Sequence, residues 1–156
     1  MTTPIFLSPG SFCCPAEPAV VTTILGSCVA VCLFDRRLHI GGMNHFLLPR
    51  CGSAPASPRY GDVAFTRLLA AMGNLGCKPA DMRAKVFGGA NVLPFDSEAD
   101  TVGAKNVSIA LEVLHQHGIP LLARRTGGQR GLFLRFHTGA GRVLLRELAP
   151  GNSGPA

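Results

Sequence analysis

The sequence has no tryptophan and only one tyrosine, so it offers few rings on which nucleic-acid bases could stack. Acidic residues are also scarce, with 9 against 15 lysines and arginines, which gives a formal net charge of +6. The basic residues are scattered along the chain and form no cluster. The charge therefore indicates a solvated surface or an acidic protein partner, and we expect no nucleic-acid partner.

Long apolar runs are missing as well. No stretch approaches the roughly 18 consecutive apolar residues that a membrane-spanning helix requires. No lysine or arginine precedes Arg36, so the N-terminus lacks the basic start of a secretory signal and the arginine-rich character of a transit peptide. Because 47% of the residues are hydrophobic, the composition predicts a folded, soluble, cytoplasmic protein without membrane insertion.

Paired metal ligands and paired cysteines are absent too. The six cysteines include no Cys-x-x-Cys pair, and a cytosolic chain of 156 residues can bury a core without disulfides. His115 and His117 have no matching Cys or His pair nearby. The glycine pairs in VFGGAN and RRTGGQRG match neither a P-loop nor a dinucleotide fingerprint, which favours tight turns, although an approach to an extended substrate backbone stays open. We expect free thiols and neither a metal nor an organic cofactor.

The chain divides into three parts. Four prolines and little periodicity predict an irregular lead-in over residues 1–19, and residues 151–156 a flexible tail, with one domain over 20–150. Amphipathic helices are predicted from Asp62 to between Gly73 and Gly76, and from about Ala104 to His117. Because predicted strands outnumber helices and several are consecutive, we expect an α+β fold with two helices covering largely antiparallel sheets.

The most informative stretch is the apolar run VVTTILGSCVAVCLF, which is followed after DRR by LHIGGMNHFLL and predicts an antiparallel hairpin. If the hairpin turns at residues 35–38, Phe34 faces His39 and Cys28 faces His45. Directly opposed residues have Cβ atoms about 4.5 to 5.5 Å apart, so the imidazole could hydrogen-bond the thiol and favour its reactive thiolate. This pairing predicts Cys28 as a nucleophile and His45 as its base.

A threonine completes the candidate set. On an unbroken strand Thr22 shares the face of Cys28, because side chains alternate with period two, and its hydroxyl could orient the imidazole. A bulge or sharp turn at Gly26 and Ser27 would break the alternation, which keeps Thr23 open as the alternative. Packing is the competing interpretation for the whole set, because cysteine also behaves as a small hydrophobe, and we assign Cys32 to the core on that ground.

Several motifs together resemble one family. LGSCVAVCLFD, GGMNHFLLP, YGDVA, KVFGGANV, GAKNV, ARRTGG and TGAGRVLLREL occur in the order and spacing of the chemoreceptor glutamine deamidases called CheD. The resemblance covers residues 20–148. It implies a layered sandwich fold and conversion of receptor glutamines to glutamate with release of ammonia, through a thioester.

The resemblance also implies site residues and partners. A cysteine nucleophile, a histidine seventeen residues later and a threonine six residues before the cysteine correspond here to Cys28, His45 and Thr22. The implied partners are the cytoplasmic helices of methyl-accepting chemoreceptors, as substrate, and a CheC-like phosphatase. A different hypothesis makes the chain a receptor- or CheC-binding adaptor with little catalysis, and a third makes it a thiol hydrolase of small amides.

Overall fold

The structure is a computed structural model that describes residues 4–92 and 101–149. Two helices and nine strands form within these residues. In chain order they are β1 (Ile5–Phe6), β2 (Ser11–Cys13), β3 (Val20–Leu25), β4 (Val29–Asp35), β5 (Ile40–His45), α1 (Gly61–Asn74), β6 (Met82–Gly88), α2 (Val102–Gln116), β7 (Leu121–Thr126), β8 (Leu132–His137) and β9 (Arg142–Glu147).

The strands form two sheets. Sheet A has the order β1-β3-β8-β9, and sheet B has the order β2-β5-β4-β6-β7. The β1/β3 and β6/β7 pairs are parallel, and the other pairs are antiparallel. Both helices contact strands of sheet B, α1 on β2 and β5 and α2 on β4 and β6. The layers therefore run sheet A, sheet B, helices.

Strand β4 lies at the centre of sheet B, and every one of its residues is buried. Its alternate side chains enter two different cores. Val29, Val31 and Leu33 pack under the helices. Cys28, Ala30, Cys32 and Phe34 pack against sheet A. A strand covered on both faces reads as a continuous apolar run, which is what VAVCLF is.

The architecture confirms the predicted α+β layered sandwich with mostly antiparallel sheets and two outer helices. Helix α2 begins two residues earlier than expected, at Val102, after the N-cap residue Thr101, whose side chain accepts a hydrogen bond from the Ala104 N–H. Within the expected irregular lead-in, β1 and β2 form by pairing with β3 and β5. The predicted flexible tail, residues 151–156, lies outside the described residues.

The predicted hairpin register is wrong by two residues. Strand β4 pairs with β5 so that Asp35 lies opposite Ile40 and Cys32 opposite Met43, and an isolated bridge joins Val29 to Phe46. The turn has the predicted length of four residues but lies one residue later, from Arg36 to His39, which shifts the pairing by two; His39 has φ 57° and the Asp35 carboxylate accepts two turn N–H groups. Because the shift is even, every side chain keeps its predicted face.

No helix within residues 4–92 and 101–149 combines the length and apolar character needed to cross a membrane.

Candidate active site

The apolar run that contains Cys28 is divided between two sheets. Its first part is β3 of sheet A and its second part is β4 of sheet B, and the chain crosses between them at Gly26, Ser27 and Cys28. The Cys28 side chain is fully buried and packs in the core between the sheets. The strand is broken at Gly26 and Ser27, so the shared face that an unbroken strand predicts for Thr22 and Cys28 does not form.

His45 ends β5 and is also fully buried. Its alternate neighbour Met43 packs in the core between the sheets, so the imidazole points into the same layer as Cys28. In the observed register, Ala30 is the residue opposite His45, and Cys28 is its diagonal neighbour. Diagonal positions are about 7 to 8 Å apart at the backbone, which long or aromatic side chains can span.

The Thr23 hydroxyl fixes the imidazole of His45. Thr23 Oγ1 lies 2.7 Å from His45 Nδ1 and donates to the Leu7 carbonyl at 2.8 Å. Because a hydroxyl has one proton and a carbonyl can only accept, the Thr23 oxygen must accept from His45 Nδ1–H. The neutral imidazole is thereby held as the tautomer with its lone pair on Nε2. That atom is buried and has no hydrogen-bond partner among the described residues.

Thr22, the threonine implied by the resemblance, lies elsewhere. It pairs with Arg135 of β8, and its carbonyl accepts the Leu7 N–H. Because Thr23 points between the sheets, strand alternation directs the Thr22 side chain to the outer face of sheet A. The structure thus brings Cys28, His45 and Thr23 into one layer and leaves Thr22 outside it.

Burial controls the protonation of the pair. It raises the pKa of the Cys28 thiol from 9.0 to about 11, although a hydrogen bond from the Cys28 backbone N–H opposes the rise. Burial also lowers the pKa of His45 from 6.5 to about 4. At neutral pH the resting site holds a neutral thiol and a neutral imidazole. This differs from the thiolate that direct pairing predicts.

The first glycine pair contacts the nucleophile turn through its backbone, and the second pair contacts the first. The Gly89 N–H donates to the Cys28 carbonyl at 2.9 Å, and the Gly127 N–H donates to the Gly88 carbonyl at 3.0 Å. Gly88 has φ +108°, and a Cβ there would lie 2.2 Å from the Cys28 oxygen. The close backbone approach therefore requires glycine. The first loop therefore supports Cys28 directly, and the second supports the first loop.

Sequence reasoning did not identify Asn106 of α2 as a residue of this region. Its amide nitrogen donates to the carbonyls of Ser27, at 3.1 Å, and Leu47, at 2.9 Å, and the side chain is fully buried. A signal was available, because Asn106 is a polar residue beside Val107 on the apolar face of a predicted helix.

Other candidate chemistry is sparse in the described part of the chain. No group of three or more His, Cys, Asp or Glu side chains is arranged there to hold a metal ion. All six cysteines are free, and Cys32 is fully buried in the core as assigned.

Comparison with known proteins gives a consistent result. A family model described as CheD chemotactic sensory transduction matches residues 47–147. A Rhodospirillum rubrum protein named "Probable chemoreceptor glutamine deamidase CheD" is 61% identical over 143 residues, covering 92% of this chain and 81% of the relative. An Anaeromyxobacter dehalogenans protein named "Probable chemoreceptor glutamine deamidase CheD 1" is 44% identical, covering 92% of this chain and 84% of the relative.

Among solved structures, the chain is similar to the Bacillus licheniformis hypothetical protein YfiH. The TM-score is 0.47 and the sequence identity 16%, over 76% of this chain and 51% of that one.

Proposed function

The chain belongs to the CheD family, and from this membership we propose that it is a protein-glutamine deamidase of chemotaxis receptors with Cys28 as its nucleophile. The observation that carries the proposal to particular residues is the buried layer shared by Cys28 and His45. In that layer His45 Nδ1 is engaged by Thr23, and Nε2 is left as an unpartnered acceptor among the described residues. Nucleophile, base and orienting group are the parts that thiol hydrolysis needs.

In the first step the Cys28 sulfur attacks the δ-carbon of a receptor glutamine. The thiol proton passes to His45 Nε2, an S–C bond forms, and the carbonyl π pair moves onto oxygen. Because both groups are neutral at rest, the base acts as the bond forms rather than before it, as in a serine–histidine pair. This suits a thiol that must remain unreactive until a substrate is bound.

In the second step His45 gives its proton to the amide nitrogen. The C–N bond breaks, ammonia leaves, and a thioester remains on Cys28. Water then attacks the thioester while His45 Nε2 accepts its proton, and collapse returns that proton to the leaving sulfur. The net reaction consumes one water and yields glutamate and ammonia, so it requires neither a cofactor nor a redox change.

Thr23 is the orienting residue in this proposal, in place of Thr22. Its hydroxyl is itself held by the Leu7 carbonyl, so the hydrogen-bond chain from Leu7 through Thr23 to His45 keeps the base lone pair on Nε2. Thr22 contributes to sheet A and to the attachment of β1 through its backbone.

The receptor glutamine must enter a closed site. Neither Cys28 nor His45 has exposed surface, so neighbouring segments have to move when the receptor docks. A cavity of about 230 Å³ lies beside the glycine loops and is lined by Gly89, Gly127 and Gly128, with the start of α2 opposite. We assign the receptor backbone next to the target glutamine to this cavity, where bare glycine backbone allows a close approach.

A CheC-like phosphatase is a further proposed partner, on family grounds alone. If partner binding were the whole function, the chain would be an adaptor and Cys28 a core thiol, and the same experiment separates the two possibilities.

The test is peptide mass spectrometry of a chemoreceptor cytoplasmic fragment incubated with parental protein, Cys28→Ala or Cys32→Ala. Cys32 is the matched control, since it is an equally buried thiol in the same core between the sheets. We expect the amide-to-acid mass gain at defined glutamines with parent and Cys32→Ala but not with Cys28→Ala. Binding by all three proteins without any modification would support the adaptor instead.

A further inference from the structure

Asn106 connects two strand ends that carry the proposed catalytic groups. It lies on α2, 79 residues from Ser27 and 59 from Leu47 in sequence, and its amide nitrogen donates to both carbonyls. Both acceptors are carbonyl oxygens, which cannot donate, so the orientation of the amide is determined and both of its N–H groups are used. The Asn106 Oδ1 is buried without a partner among the described residues. Burying an oxygen without a partner costs folding free energy, so the two hydrogen bonds of the amide nitrogen must contribute more than this cost.

The hydrogen bond to Ser27 fixes the peptide that precedes the nucleophile. In a trans peptide the C=O and the following N–H point in opposite directions, and the described residues contain no cis peptide bond. When Asn106 holds the Ser27 carbonyl toward α2, the Cys28 N–H is turned away from the helix. That N–H belongs to the same residue as the sulfur, and it has no backbone or side-chain acceptor in another residue within the described ranges.

The hydrogen bond to Leu47 fixes the other half of the site. Leu47 follows His45 by two residues, just beyond the end of β5. The Phe46 N–H and carbonyl pair with Val29, one residue after Cys28. Asn106 therefore joins the segment that precedes Cys28 to the segment that follows His45.

We propose that Asn106 is a positioning residue that holds the Ser27–Cys28 peptide so that the Cys28 N–H lies beside the reacting sulfur and donates to the oxyanion. The inference rests on the proposed role of Cys28. As the S–C bond forms, the negative charge appears on the glutamine oxygen, and an N–H already adjacent to the sulfur can stabilise it without reorganisation. Asn106 itself does not touch the substrate in this account.

The test compares Asn106→Asp and Asn106→Ala with Thr138→Val. Asn106→Asp keeps the shape but opposes carboxylate oxygen to two carbonyls. Thr138 is the matched control, because its buried hydroxyl also bonds a backbone group, the Ala19 N–H at 2.9 Å, at the β8–β9 turn. Removing a single oxyanion donor lowers kcat by about 100- to 1000-fold, so displacing one should lower kcat by about 10- to 100-fold. We expect KM within about threefold of parent in the Asn106 variants and parental kcat in Thr138→Val.

Alkylation of Cys28 by iodoacetamide separates positioning from loosening of the fold. Loosening exposes a buried thiol and speeds its alkylation, whereas loss of the N–H donor disfavours the thiolate and slows it. With peptide-resolved mass spectrometry between pH 7 and 10, we expect slower alkylation in both Asn106 variants and an unchanged rate in Thr138→Val. Circular dichroism identifies any variant that does not fold. If Asn106→Ala is unfolded, the kcat and the alkylation rate of the more conservative Asn106→Asp test the positioning role.

Faster or unchanged alkylation, or kcat within twofold of Thr138→Val, would overturn the positioning role. If Cys28→Ala loses deamidation while both Asn106 variants keep the parental kcat, the result rejects this inference and leaves the proposed nucleophile in place. Parental deamidation by Cys28→Ala would instead reject the proposed nucleophile, and the Asn106 inference with it.

Discussion

Acid should destabilise this protein through His45, by an amount that follows from the burial of its imidazole. The folded state holds His45 neutral with a pKa of about 4, against an ordinary value of 6.5 that the unfolded chain regains. Between pH 6.5 and 4, His45 is therefore protonated in the unfolded chain and neutral in the folded protein. The free energy of unfolding is fully retained above pH 6.5 and falls as the pH drops from 6.5 to 4.

The size of the loss follows from the two pKa values. For one group with these values, the free energy of unfolding falls by about 2 kcal/mol between pH 7 and pH 5, and by about 3 kcal/mol by pH 4. With a urea m-value of roughly 2 kcal/mol/M, the first figure lowers the unfolding midpoint by about 1 M. The window from pH 7 to 5 is the useful one, because most carboxylates titrate below it.

The assay is urea unfolding at pH 7, 6 and 5 for the parent, His45→Asn and His39→Asn. An asparagine amide at position 45 can still donate to Thr23 Oγ1 but does not titrate, so its unfolding free energy should lose the slope with pH. His39 is the control, since it is exposed at the hairpin turn and its φ of 57° suits asparagine. The comparison uses only the slope of the unfolding free energy with pH, so a constant loss of packing energy from the substitution does not affect it. If the parent and His45→Asn lose the same free energy between pH 7 and 5, the buried neutral imidazole is refuted.

Three further predictions address the site directly. Thr23→Val should lower kcat by about 10- to 100-fold through loss of the His45 tautomer, while the isosteric Thr22→Val stays within about threefold, measured as ammonia release; the reverse order would restore Thr22. Gly88→Ala should lower the free energy of unfolding by about 2 kcal/mol or more, because Gly88 has a positive φ and lies close to the Cys28 carbonyl. Gly73→Ala in helix α1 is the control, because a Cβ there meets open space, and it should be neutral or stabilising in the same urea unfolding assay. The kcat/KM profile should show no inflection between pH 5 and 6.5 and should fall on acidification near pH 4, where His45 becomes protonated; an inflection near 6.5 would contradict the neutral buried base.

The sequence was sufficient for features that depend on local patterns. Amphipathic spacing predicted both helices to within a few residues, and the apolar runs VVTTILGSCVAVCLF and LHIGGMNHFLL predicted strands where β3, β4 and β5 form. The placement of Cys28 and His45 in one layer survived a wrong register because the error was two residues, and side chains alternate with period two. The predicted direct pairing of Cys28 with His45 was wrong, because the turn lies one residue later than expected.

Only the tertiary structure decided the features that depend on distant partners. Strands β1 and β2 contain two and three residues and form because β3 and β5 supply their hydrogen bonds. The contact of His45 with Thr23 rather than Thr22 forms where β3 of sheet A packs on β5 of sheet B, and the sequence had left both threonines open.

The sequence by itself therefore determined which chemistry is present: a thiol and an imidazole on apolar strands, with glycine turns nearby. The structure decided how that chemistry is held, through Leu7 behind Thr23 and Asn106 behind Ser27. Those contacts join residues 16 and 79 positions apart in the chain. Local propensity carries no information on such pairs, because they arise only when separate elements pack against one another.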